Sequence, residues 1–399
     1  MRRTAIGLLA QGGMEEADMK NPALLALPAL LLTCTLTPAV SRAQFDQTDL
    51  VSDISGMAPQ TDTDLKNPWG MSFSGKSPIW VSNQGSNTST LYNPLAAAIK
   101  LGLTVNTPTG GASPPTGPTG QVFNWTTSDF MIPAPSGTVK ALFIFATLQG
   151  TIEGWNPGST GGLNNAESVT PMPHGVLTGL TLDSVGTTNY LYAADATGSI
   201  RVFNGSFTEV TNTTFAGKFV DPNPVAGFTP FNVQNLGGNL FVTYAAATGT
   251  GAPLKGGYVD EYSAAGNFMQ RIATGGPLNA PWGLTLAPMG FGRFGGDLLV
   301  GNLFNSTIDA FNLNNQNHLD GWITVNTGFT SPVGLWALDF GNGVTGNANT
   351  LYFTAGVNDQ KDGLFGEITV PEPDGLGLFI PGLAGLLIYC WRRGRLNPA

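Results

Sequence analysis

The sequence predicts an all-β chain whose main body, residues 44–370, is a six-bladed β-propeller. Three observations predict it. A short Pro-x-Gly/Asn-hydrophobic motif recurs with a period near 50 residues, a pair of strand-like segments follows each copy, and no long amphipathic helix interrupts the series.

The first motif is read at Pro68-Trp69-Gly70-Met71, Pro173-His174-Gly175-Val176, Pro230-Phe231-Asn232-Val233, Pro281-Trp282-Gly283-Leu284 and Pro332-Val333-Gly334-Leu335. Successive copies start 105, 57, 51 and 51 residues apart. The first gap is two periods, which places one diverged copy around Ile132-Pro133.

The second motif is an aliphatic run, a polar turn and an alternating strand that ends in an aromatic residue and usually Asn. Ile79–Asn83 leads to Leu91-Tyr92-Asn93, Leu191–Asp195 to Ile200–Asn204, and Leu298–Asn302 to Ile308–Asn312. Diverged versions run from Leu142–Phe145 to Ile152–Asn156, from Leu240–Tyr244 to Val259–Ser263, and from Leu351–Thr354 to Phe365–Ile368. Alternating apolar and β-branched residues between Gly, Asn, Asp and Ser turns are strand signatures. Six such units, each with enough strands for a four-stranded blade, make a ring. Phe45 to Ile54 precedes the first unit and is expected to close that ring with the last blade. A β-sandwich or solenoid is the alternative, and a repeat this long is too long for one solenoid coil. The pattern of the second motif resembles NHL-type propeller repeats.

The two ends read as targeting segments. Met19-Lys20 starts a basic and then apolar stretch to Leu36, and Ser41-Arg42-Ala43 offers small residues at a signal-peptidase site. Residues 1–43 are therefore expected to be a signal peptide with its true start near Met19. At the other end, Val370-Pro371-Glu372-Pro373 is followed by an uncharged run, Leu376 to Trp391, and then by Arg392, Arg393 and Arg395. Sixteen residues of helix span roughly 24 Å, slightly short of a bilayer core. The arginines place the tail on the cytoplasmic side by the positive-inside rule. This arrangement over 371–399 resembles the PEP-CTERM sorting signal of Gram-negative bacteria. The stretch from Leu50-Val51-Ser52-Asp53 through Asn67-Pro68-Trp69-Gly70 to Leu91-Tyr92-Asn93 resembles an uncharacterised bacterial family that often carries that label. The resemblance implies signal peptidase and an exosortase as processing partners, a transient single-pass anchor, and a final place at the cell surface or outside the cell.

Composition narrows the function. Cys34 and Cys390 fall in the two end segments, so the body has no disulfide or thiol chemistry. Residues 44–370 hold ten Lys and Arg against 21 Asp and Glu, a net charge of −11, which disfavours nucleic acid as a partner. His174 and His318 have no zinc-like spacing, and no Gly-x-Ser-x-Gly elbow or P-loop occurs.

Two sets of candidate site residues remain. If the Pro-x-Gly motif opens the innermost strand of each blade, Trp69, His174, Phe231, Trp282 and Val333 ring the axis. Such a ring suits a sugar or another flat ligand, while the plainer expectation is packing between blades. Asn83, Asp195 and Asn302 share a place after the aliphatic strand. The six-bladed lactonases and gluconolactonases, whose architecture the repeats resemble, hold a divalent metal on Asn, Asp and Glu near the axis. Ca²⁺ is the cation that oxygen ligands of this kind would take, and turn capping by the same side chains is the plainer expectation. The leading functional expectation is a non-catalytic propeller that binds extracellular polysaccharide or protein. The alternatives are a metal-dependent lactonase or other hydrolase and a structural spacer.

Overall fold

The computed structural model describes residues 45–109, 116–170, 174–246, 255–329 and 334–371. The expected signal peptide and Glu372, Pro373, Arg392, Arg393 and Arg395 of the C-terminal label lie outside the described residues. Among the described residues no helix is long and apolar enough to cross a membrane.

Six sheets built on antiparallel meanders follow one another along the chain. The first blade is Pro68–Ser72, Ile79–Asn83, Thr88–Tyr92 and Lys100–Asn106. The second is Pro118–Phe123, Phe143–Thr147, Ile152–Trp155 and Glu167–Ser168, with a hairpin of Met131–Ala134 and Gly137–Lys140 inserted after its first strand. Three strands, Leu177–Val185, Thr188–Asp195 and Ser199–Asn204, make the third blade. The fourth begins with Phe228–Leu236 and the fifth with Pro281–Leu286. The sixth joins Gly334–Phe340, Leu351–Val357 and Asp362–Thr369 to Asp46–Ser52 from the start of the chain. That last pairing closes the ring, with Asp46 opposite Thr369 and Ser52 opposite Leu364. The closing strand read at Phe45 to Ile54 is therefore observed.

Burial follows position in the blade. The second strands Ile79–Asn83, Phe143–Thr147 and Leu298–Asn302 are buried throughout, because a neighbouring blade covers each face. Outermost strands such as His318–Thr324 alternate between exposed and covered residues. Apolar clusters fill the wedges between blades, for example Leu299, Ile308, Leu335, Phe353 and Leu364 between the fifth and sixth.

The Pro-x-Gly motif has a physical cause. Each inner strand carries a bulge at the x residue, seen between Pro68 and Met71, Leu177 and Gly179, Pro230 and Asn232, and Pro281 and Gly283. Extra residues at a bulge re-aim the strand and its side chains. The residue after it touches the inner strand of the next blade. A Cβ on Gly70 would press on the Thr119 carbonyl, on Gly120 against the backbone of Gly179 and Leu180, and on Gly283 against the Trp336 carbonyl. Glycine is required there by close approach. In the fourth blade Asn232 takes the same place and donates its Nδ2 to the Trp282 carbonyl at 2.8 Å.

This register corrects three sequence assignments. The diverged second copy is Pro118-Thr119-Gly120-Gln121, and Ile132-Pro133 belongs to the inserted hairpin. In the third blade the inner strand opens at Leu177-Thr178-Gly179, so Pro173–Gly175 precedes it. In the sixth the bulge holds Trp336 and Ala337, which displaces the reading at Val333, itself outside the described residues.

Candidate functional site

The six bulge positions are Trp69, Thr119, Thr178, Phe231, Trp282 and Trp336, and they meet at one end of the axis. Trp336 stacks on Trp69 with centroids 3.6 Å apart. Trp282 sets its edge against both, at 6.2 Å from Trp69 and 5.8 Å from Trp336. Phe231 completes the cluster at 6.3 Å from Trp69 and 5.9 Å from Trp336. Trp282 Nε1 donates to the Thr178 carbonyl at 3.0 Å, and Trp336 Nε1 donates to Asn67 Oδ1 at 3.1 Å. Trp69, Trp282 and Trp336 are all buried. Of the aromatic ring expected from the sequence, Trp69, Phe231 and Trp282 do converge, joined by Trp336, and they form a plug packed on itself.

His174 is elsewhere. Its Nδ1 lies 2.6 Å from Glu209 Oε2, and its ring sits edge-on to Phe203. Glu209 also accepts from Arg201. Burial acts to raise the Glu209 carboxyl, but hydrogen bonds from Thr211, Arg201 and His174 together outweigh it and hold it below its ordinary value.

Asn83, Asp195 and Asn302 are fully buried, each engaged within its own blade. Asn83 Nδ2 donates to Thr88 and Thr90 at 3.1 and 2.9 Å. Asp195 accepts from Arg201 Nε at 2.7 Å and from the backbone of Val176 and Thr197. Asn302 donates to Asp309 Oδ2 at 2.8 Å and accepts from the backbone N–H of Asn279. In all three, the last residue of the second strand ties to the third strand across the turn. Burial pushes the Asp309 carboxyl up to about 6 against the opposing bond from Asn302. Among the described residues no group of three or more His, Cys, Asp or Glu is placed to hold a metal ion.

Just beyond the plug the axis narrows to a slot of about 10 Å³, lined from all six inner strands by residues that include Gly70, Gly120, Leu180, Asn232, Leu284 and Leu338. That is room for about one water. Farther along the inner strands the axis widens into a funnel of about 220 Å³. Its walls carry Phe73, Phe123 and the exposed Trp125 beside Thr181, Gln234 and Asp339. Ser72, Val122, Thr181, Gln234, Thr285 and Asp339 are equivalent positions, three residues past the bulge in each blade. The Ser72 hydroxyl is buried with no hydrogen-bond partner. The sequence reading missed this end because its residues differ from blade to blade and make no repeat.

Asp339 is the one ionisable side chain in the funnel lining. Desolvation pushes its carboxyl up to about 7, although the Phe340 N–H donates to it at 2.9 Å. A carboxyl raised on folding stabilises the protonated native state, so this contribution is complete below the ordinary value near 4 and is lost as pH rises through about 7. Asp339→Asn is expected to leave thermal stability unchanged at pH 4 and to raise it at pH 8 by about 2 kcal/mol, a figure discounted for solvent reaching the funnel. Melting curves at the two pH values check this.

A closed ring of six meandering blades, which among the described residues carries an aromatic plug at one end of its axis and a funnel at the other, defines a six-bladed β-propeller. The chain is 31% identical to uncharacterized protein R648 of Acanthamoeba polyphaga mimivirus over 80% of its own length and 78% of that protein's, and it belongs to the same family. Uncharacterized protein L690 of the same virus is 26% identical over 86% of the chain and 92% of its own length. This membership overturns the assignment to a bacterial PEP-CTERM family, because the relatives that align along the chain are mimivirus proteins. No family model matches the sequence.

Among solved structures, the chain is similar to a PQQ-bound aldose sugar dehydrogenase from Streptomyces coelicolor, with 14% identity, 82% and 99% of the two chains covered and a TM-score of 0.46. A streptogramin B lyase is similar at 11% identity, 82% and 97% coverage and a TM-score of 0.43. A putative gluconolactonase is similar at 17% identity, 65% and 81% coverage and 0.38. Likeness at this level says nothing about chemistry.

Proposed function

We propose that this chain is a non-catalytic binding propeller that takes the end of a polysaccharide chain in its axial funnel. The observation that carries the reading is the axial funnel, set at the opposite end of the axis from the aromatic plug. Among the described residues the plug and the slot behind it close the axis on one side, and the funnel on the other sets aromatic faces beside uncharged hydroxyl and amide groups. Such walls suit a hydroxylated ligand, which offers apolar ring faces and many hydrogen-bonding edges. The funnel's size fits a chain end or single ring, with the rest of the ligand running across Trp125. The metal-dependent lactonase reading finds no comparable support, because Asp195 and Asn302 are spent on their own hairpins and, although Asn83 Oδ1 is unpartnered, no group of three or more acidic or His/Cys side chains is placed to hold a metal among the described residues.

Calorimetric titration of the full chain with neutral oligosaccharides, and separately with Ca²⁺, tests the reading. Saccharide binding is expected without added metal. Trp125→Ala is expected to weaken it about tenfold, the loss of one aromatic stacking face. Saturable Ca²⁺ binding together with calcium-dependent lactone hydrolysis would favour the hydrolase instead.

A further inference from the structure

We propose that the funnel selects a ligand bearing a protonated primary amine on a hydroxylated body, an amino sugar, and that Asp339 is the residue that selects it. This deepens the binding reading above and rests on it.

Four observations carry the inference. First, Asp339 is half-buried in the funnel wall, and among the described residues it forms no ion pair. Its hydrogen bond is with the Phe340 N–H. Second, three other enclosed carboxylates are answered by cations: Lys100 pairs with Asp62, Arg201 with Asp195 and Arg271 with Asp260. Glu153, Asp297 and Asp309 are buried without such a partner among the described residues, but none of them lines the funnel. Third, no other charged side chain lines the funnel from any of the strands around it. Asp183, on the inner strand of the third blade, is outside the lining; it accepts from the Ser184 N–H, and its Oδ2 is buried without a hydrogen-bond partner. Fourth, the same wall carries Phe73 and Trp125, whose ring faces attract a cation.

A carboxylate held in a poorly solvated wall without a cation is costly, and its carboxyl responds by retaining a proton to about pH 7. An ammonium group arriving with the ligand supplies the missing charge, while its hydroxyls meet Thr181 and Gln234. The preference for the amine therefore strengthens as pH rises from 5.5 towards 7 and Asp339 ionises.

The test compares glucosamine oligomers with N-acetylglucosamine oligomers of equal length, titrated into the full chain at pH 5.5 and 7. The free amine is expected to bind at least about tenfold tighter at pH 7 and to lose much of that advantage at pH 5.5. Asp339→Asn should bring the ratio close to one, and Asp339→Glu should restore part of it. Equal affinity of the two oligomers for the unaltered chain at pH 7 overturns the amine selection while leaving saccharide binding standing. Binding of neither oligomer overturns both. The wild-type comparison stands even if a variant fails to fold.

Discussion

Replacing Trp336 by Ala is expected to destabilise the propeller by about 3–5 kcal/mol, the usual cost of removing a large buried aromatic. Trp336 is 1% exposed and is the hub of the plug, in contact with Trp69, Phe231 and Trp282 at once. The change also strands Asn67 Oδ1, which loses its donor. Trp336→Phe loses the hydrogen bond but keeps much of the packing, so it should cost less than half as much. Urea unfolding of the two variants checks the order, and a loss below about 1 kcal/mol for Trp336→Ala would show that the plug contributes little to holding the ring.

Removing the closing strand is expected to do more. A chain starting at Gly56 lacks Asp46–Ser52 and with it the outer partner of Asp362–Thr369. It also loses the buried Leu50 and Val51 and the Asp53 contacts to Lys66 and the Gly363 N–H. The sixth blade would then present an unpaired edge and could no longer hold the first and last parts of the chain together. A loss of at least about 5 kcal/mol follows, comparable to the whole stability of many domains. Far-ultraviolet circular dichroism with thermal unfolding is expected to show a broad, non-cooperative transition. A sharp transition near that of the full chain would mean that the ring closes by other contacts.

The ring was legible in the sequence because its repeat has a mechanical cause. The Gly of Pro-x-Gly sits where inner strands touch, and the x residue sits at the bulge. Both demands recur in most blades, so they leave a period. The second blade was misplaced because Pro118-Thr119-Gly120-Gln121 lies at the end of a Pro-, Gly- and Thr-rich stretch that looks like loop. Nothing in its composition shows that Gly120 packs on Gly179. His174 was drawn into the ring by a chance Pro-x-Gly four residues ahead of Thr178. Trp336 was missed because Pro332–Leu335 matched the motif three residues too early. The funnel left no trace of this kind. Ser72, Val122, Thr181, Gln234, Thr285 and Asp339 become a set only once six strands are wound around one axis. Asn83, Asp195 and Asn302 show the converse. Their repetition is real, and its cause is the hairpin each one ties across its own turn.

Hydrogen–deuterium exchange of the full chain with and without a saturating chitosan oligomer locates the ligand directly. The account predicts slowed exchange confined to the funnel strands and mouth, at residues 72–73, 122–126, 181–183, 234–236 and 339–340. Protection confined to the turns around the plug, at residues 84–87 and 148–150, or spread along an outer blade edge, would contradict it.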